Sequence, residues 1–148
     1  MELDAFKKCY HKYFKEHGFK KIKNRYYLKS NDLLCEIYVQ RSYFAPEYYF
    51  NYDLFIGDFQ EPYVINRDNP RDYTPGVDGR FYFTEIDTFA CEYTNYTEAQ
   101  LIELLDKNYN EIIRPPMERG KKYILENFGT IYRSTINPEK AKQALIQI

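Results

Sequence analysis

Apolar residues in this chain change their spacing twice, and the order of those changes constrains the fold more than any other feature. Leu3, Phe6, Tyr10, Tyr13 and Phe14 recur at three- and four-residue steps, with charges on the opposite side, so residues 2–17 read as an amphipathic helix. Gly18 follows as the residue that most cheaply enters the left-handed turn ending a helix. From Phe19 the spacing drops to two. Ile22, Asn24, Tyr26 and Leu28 fall on one face of a strand over Phe19–Lys29, and Lys21, Lys23, Arg25 and Tyr27 fall on the other. After the turn cluster Ser30-Asn31-Asp32, a second strand over Leu33–Gln40 sets Leu33, Cys35, Ile37 and Val39 against Leu34, Glu36, Tyr38 and Gln40, making a hairpin of residues 26–40. Tyr48–Phe59 is a third strand, with Tyr48, Phe50, Tyr52, Leu54 and Ile56 on one side.

Residues 60–79, punctuated by Pro62, Pro70 and Pro75-Gly76, read as a long loop, which in a small domain is either functional or mobile. Arg80–Ile86 gives a short fourth strand and Thr88–Tyr93 a fifth. Helical spacing then returns. Thr97-Glu98-Ala99-Gln100 is a capping box opening a helix through about Ile113, whose stripe is Leu101, Leu104, Leu105, Tyr109, Ile112 and Ile113. Pro115-Pro116 is expected to break it, a further helix runs to Phe128 with Gly129 as its cap, and Asn137-Pro138 starts a last short helix. Helix, then strands, then helices is the order of an α+β domain: an antiparallel sheet of four to six strands, with the N-terminal helix and the C-terminal helices packed on it. The 148 residues fit one such domain with a real core.

Several function classes are disfavoured. No apolar run approaches the roughly 18 residues of a membrane span, and no secretory signal follows Met1. A net charge of −1 argues against a dedicated nucleic-acid binder. Cys9, Cys35 and Cys91 lie within apolar patterns and form no C-x-x-C pair, which points to a reducing, cytoplasmic setting rather than to disulfides or zinc. His11 and His17, six positions apart on one helix, are about 240° of rotation from each other, which leaves them about 120° apart, and share no metal face. The phosphate-cradling, dinucleotide-binding and nucleophile-elbow motifs are missing, so no cofactor or catalytic residue is implied.

What remains is an unusual surface chemistry. The chain holds 17 Tyr and 11 Phe without a Trp, which suits either half-buried tyrosines on a sheet or a tyrosine-rich interface. Charge is segregated as well. Residues 1–41 carry ten basic and five acidic groups, residues 42–113 four and fourteen, and residues 114–148 seven and three. Either the basic flanks fold against the acidic middle, or the middle presents an acidic face to a basic partner. On the second reading Asp68, Asp72, Asp78, Glu85, Asp87 and Glu92 supply the charge, and Tyr73 and Tyr82 the anchors. The same carboxylates, if they converged, would suit a small hydrolase or nuclease with a metal site, and a tyrosine-lined small-ligand pocket is a third reading. The basic stretch Lys20–Tyr27 reads as lysines guarding an exposed strand against edge pairing.

Gly18-Phe19-Lys20-Lys21, Tyr26-Tyr27, Val39-Gln40-Arg41-Ser42 and Phe50-Asn51, in this order, resemble the start of the bacterial family called domain of unknown function 4304. The likeness is strongest over residues 3–57. It loosens over 101–128, where Met117 follows Pro116 in place of an expected aromatic. The resemblance implies a small bacterial cytoplasmic α+β domain and assigns no catalytic residue. Gln40, Ser42 and Asn51 either converge on a pocket or satisfy buried backbone groups. The expectation is therefore a non-enzymatic binding domain, of the kind that as an immunity protein caps a basic toxin.

Overall fold

The computed structural model describes residues 1–69, 71–83 and 89–147. Helix α1 (Leu3–Glu16) buries Phe6, Cys9, Tyr13 and Phe14 along one stripe, and Gly18, at φ +87°, turns the chain out of it. The stretch from Phe19 to Lys29 is a tight hairpin rather than one strand. β1 (Lys20–Ile22) pairs antiparallel with β2 (Arg25–Lys29) through a two-residue turn in which Lys23 takes φ +57°. That reversal moves Ile22 opposite Arg25, so Ile22 does not share a face with Tyr26 and Leu28. The lysines stand on β1, the edge strand, where exposed charge discourages pairing with another chain.

β2, β3 (Leu33–Arg41), β4 (Tyr48–Ile56) and β5 (Gly76–Arg80) continue the sheet antiparallel in chain order, and β6 (Ala90–Cys91) pairs with the start of β4. The inner face carries Tyr26, Cys35, Ile37, Phe50, Tyr52 and Leu54 against α1, α2 (Glu98–Asn108) and α4 (Lys121–Glu126), in one aromatic-rich core. Thr97 caps α2 in a full capping box, and Asn137 caps α5 (Pro138–Ile146).

The fourth strand lies earlier than its sequence indicates. Gly76 and Gly79 disguise β5 as a turn, yet both are needed there. A Cβ on Gly76 would meet the Leu54 carbonyl oxygen at 2.6 Å, and one on Gly79 would meet the Tyr52 hydroxyl at 2.6 Å. Residues 81–83 are not strand, and 84–86 of the expected strand lie outside the described residues. In place of a neighbouring strand, the buried amide of Asn108 accepts from Tyr82 N and donates to Tyr82 O, both at 2.8 Å. Of the fifth strand expected over Thr88–Tyr93, Thr88 lies outside the described residues, Ala90–Cys91 forms β6, and a 3₁₀ turn takes over at Tyr93–Asn95.

Pro115-Pro116 widens the helix instead of ending it. A π turn over Tyr109–Ile113 runs directly into α3 (Arg114–Arg119), which carries the prolines in its first turn. Pro116 has no N–H to give the carbonyl four residues back, that of Ile112. The hydroxyl of the fully buried Tyr132 donates to that oxygen at 2.6 Å. The real interruption falls at Gly120, which splits the helix expected over 116–128 into α3 and α4.

Candidate functional site

Strand register decides which polar residues meet. Because the strands pair in order, Tyr27, Glu36, Asp53 and Asp78 form one row across the outer face of β2–β5, and Arg25, Tyr38, Asn51 and Arg80 form the next. Of the loop expected over residues 60–79, 76–79 are strand, part of β5, and Pro70 lies outside the described residues; the preceding segment 57–75 lies over part of this face. Phe59 and the Arg67 guanidinium cover Phe55, and Tyr63 packs 5.3 Å from the Tyr27 ring.

Glu36 is the centre of the first row and has no solvent exposure. Arg25 donates to one of its oxygens at 2.7 Å and Arg67 to the other. Asp53, directly opposite, is held near neutral: burial first, then the neighbouring charges of Glu36 and Asp78, push its carboxyl up to about 7, with Arg67 and Arg25 opposing. Burial likewise pushes the Tyr27 hydroxyl up to about 12, so it is a neutral donor beside these acids. Asp78 spends both oxygens on the C-terminal segment. Thr135 N donates to one at 2.9 Å and the Thr135 hydroxyl to the other at 2.6 Å, while Asp78 N donates to Arg133 O. The row is thus a clasp that fastens a loop and the chain's last third onto the sheet. Among the described residues, no group of three or more His, Cys, Asp or Glu is placed to hold a metal ion.

In the second row, Asn51 donates to Gln40 Oε1 at 3.1 Å and to Tyr38 O, and accepts from Arg80 Nε at 2.9 Å. Arg80 lies 4.2 Å over the Tyr49 ring. Gln40 and Asn51 therefore converge, whereas Ser42 sits beyond them at the start of the β3–β4 connection. There Ser42 N donates to Glu47 O and Ser42 Oγ accepts from Phe44 N, fixing a short hairpin tip. The tip holds Tyr43 and Phe44 at 93% and 96% exposure. A groove of about 300 Å³, to which Tyr43 and Phe44 contribute, is also lined by Leu3, Arg41, Glu47, Tyr48 and Tyr93.

The residues singled out from sequence do not form one acidic face. Asp68 and Asp72 are exposed on the 57–75 loop, where Asn69 donates to Asp72. Tyr73 is half-buried near Asp53 and Asp78. Tyr82 is exposed and packs 4.9 Å from Phe89. Glu92 accepts from Asn95 near the start of β4, next to the groove residue Tyr93. Glu85 and Asp87 lie outside the described residues. The basic N-terminal part does fold against acids of the middle, at Lys20–Glu61 (2.9 Å) and Lys29–Asp58 (3.6 Å). Missed from sequence were Arg25, Glu36, Asp53, Arg67 and Arg80, scattered over four strands and a loop, and the pair Tyr43-Phe44, whose only signal was two adjacent aromatics before a proline.

The histidines are more enclosed than an exposed helix face implies: His11 bonds the Tyr26 hydroxyl at 2.9 Å, and His17 bonds Tyr13 O at 2.7 Å. All three cysteines are free and buried, and burial pushes the Cys9 thiol up to about 11 and Cys91 up to about 12. Such thiols are poor nucleophiles at neutral pH.

These features define an α+β domain whose antiparallel sheet packs helices on one face and a clasped polar network on the other. The family described as Domain of unknown function (DUF4304) matches residues 10–125, and the chain belongs to it. No curated protein and no solved structure matches the chain. No helix among the described residues is long and apolar enough to cross a membrane.

Proposed function

We propose that this chain is a non-enzymatic protein-binding domain, of the bacterial immunity type, that caps a basic partner. The observation that carries this reading is the hairpin tip. Isolated exposed apolar residues are ordinary, but two neighbouring aromatics exposed at 93% and 96% on a hydrogen-bonded turn are a preformed anchor. A partner that accepts both rings would dehydrate them with little ordering cost, because the turn is already fixed.

The basic sign assigned to the partner rests on the excess of acidic groups over residues 42–113. At the groove itself Glu47 is accompanied by Arg41, and Glu92 directly precedes the 3₁₀ turn of Tyr93, another groove residue. Asp68 and Asp72, on the loop that leaves the opposite end of β4, add to the long-range field instead of touching the same partner surface. Asp78 is left out of the contact set because its oxygens are already engaged.

Co-expression with the product of the adjacent gene, followed by sizing chromatography at low and high salt, tests the reading. Co-elution at low salt that weakens at high salt is the expected result. Separate elution at both salts contradicts it.

A further inference from the structure

A second surface feature is independent of the hairpin tip. At the β5 edge an open cleft of about 720 Å³ is lined by Tyr82, Phe89 and Ile131, together with Arg80 and Asn51. This volume lies in the usual range for small-molecule sites, and the lining mixes these apolar side chains with polar groups, Arg133 and Thr130 among them.

The geometry of Arg80 is specific. Its Nε is tied to Asn51 Oδ1, whose amide is in turn oriented by Gln40, and its guanidinium plane rests on the Tyr49 ring. Those two restraints fix the plane, and among the described residues the two terminal nitrogens make no further hydrogen bond, leaving a planar fork that matches a carboxylate or phosphate. Among the described residues no carboxylate pairs with Arg80, although Arg25 and Arg67 both have one. Of the acids lining the cleft, Asp78 is engaged by Thr135, and Glu111 is exposed.

We propose that this cleft binds a small molecule with a flat apolar body and a carboxylate or phosphate group. The anionic group is received by Arg80 and the flat body lies along Tyr82 and Phe89. Gln40 and Asn51 are positioning residues for Arg80.

The test is calorimetric titration of the full chain, in a buffer free of phosphate and carboxylate, with benzoate, phenyl phosphate and inorganic phosphate. Saturable one-to-one binding of benzoate or phenyl phosphate is expected, and whichever binds more tightly identifies the anionic group. Arg80→Gln should weaken that binding roughly tenfold or more, the loss expected for a charge-assisted hydrogen-bond pair. Arg80→Lys, which keeps the charge without the fork, should fall between the two and guards against a folding defect in the first variant. Tyr82→Ala should weaken phenyl phosphate while leaving inorganic phosphate unchanged. No saturable binding of either aromatic anion, or equal binding by wild type and both Arg80 variants, overturns the proposal.

Discussion

Glu36 and Asp53 face each other across β3 and β4, and both guanidinium groups that reach their row bind Glu36. Asp53 is left half-buried beside two other carboxylates, which is why its carboxyl is pushed up to about 7. The asymmetry follows from strand order: Arg25 reaches across from β2, next to β3, and Arg67 comes down from the loop over the same side.

Stability should therefore depend on pH through Asp53. In the unfolded chain this group has its ordinary value of 3.8, and in the folded protein it holds its proton up to about 7. Between those values the folded state binds more protons than the unfolded one. Stability should then fall as pH rises from about 4 to about 7, by up to ~1.4 kcal/mol per pH unit, and level off above. Asp53→Asn should flatten this slope and be more stable than wild type at pH 8. Urea unfolding across the pH range measures it, and an unchanged slope in the variant would count against the assignment.

Removing the charge of Glu36 should cost far more than removing any surface carboxylate. Glu36→Gln leaves two arginines facing a neutral group, and breaking a buried ion pair from one side typically costs about 3–5 kcal/mol. Both arginine side chains are about a third exposed, so the low end of that range, about 3 kcal/mol, is expected. By contrast, Glu61→Gln, which breaks an exposed pair with Lys20, should change stability by less than about 1 kcal/mol.

The π turn makes a separate prediction. Tyr132→Phe keeps the ring but strips the Ile112 carbonyl of the hydroxyl that substitutes for the absent Pro116 N–H. A buried acceptor left unpaired costs about 1–3 kcal/mol. Chemical denaturation should show that loss, with hydrogen exchange accelerated around residues 109–119. A variant as stable as wild type would mean that the carbonyl finds another donor.

Much of the frame was legible because periodicity reports burial. The stripe Phe6, Tyr13, Phe14 fixed α1, the alternation from Leu33 to Val39 fixed β3, and the capping residues Thr97 and Asn137 fixed the starts of α2 and α5. Local signals failed where a distant residue supplied what the backbone lacked. β5 contains two glycines because its neighbours Leu54 and Tyr52 occupy the space, and beyond Phe81, whose N–H still reaches Phe50 O on β4, Tyr82 and Phe83 bond side chains. The prolines were tolerated because of Tyr132, sixteen residues further on. The polar face was illegible for a related reason. Glu36, Asp53, Arg67 and Arg80 are ordinary charged residues in sequence and acquire meaning only when the register aligns them. Total charge in the middle segment was a poor guide, since Asp58, Glu61 and Asp78 are engaged within the fold.

The most direct measurement concerns the hairpin tip. Tyr43→Ser/Phe44→Ser should leave stability within about 0.5 kcal/mol of wild type, because both rings are already in water. Calorimetry against the co-eluting partner should nevertheless show affinity lowered by a factor of 100 or more, on the order of two anchor residues lost. Unchanged affinity in a fully folded double variant would contradict the tip as the binding anchor.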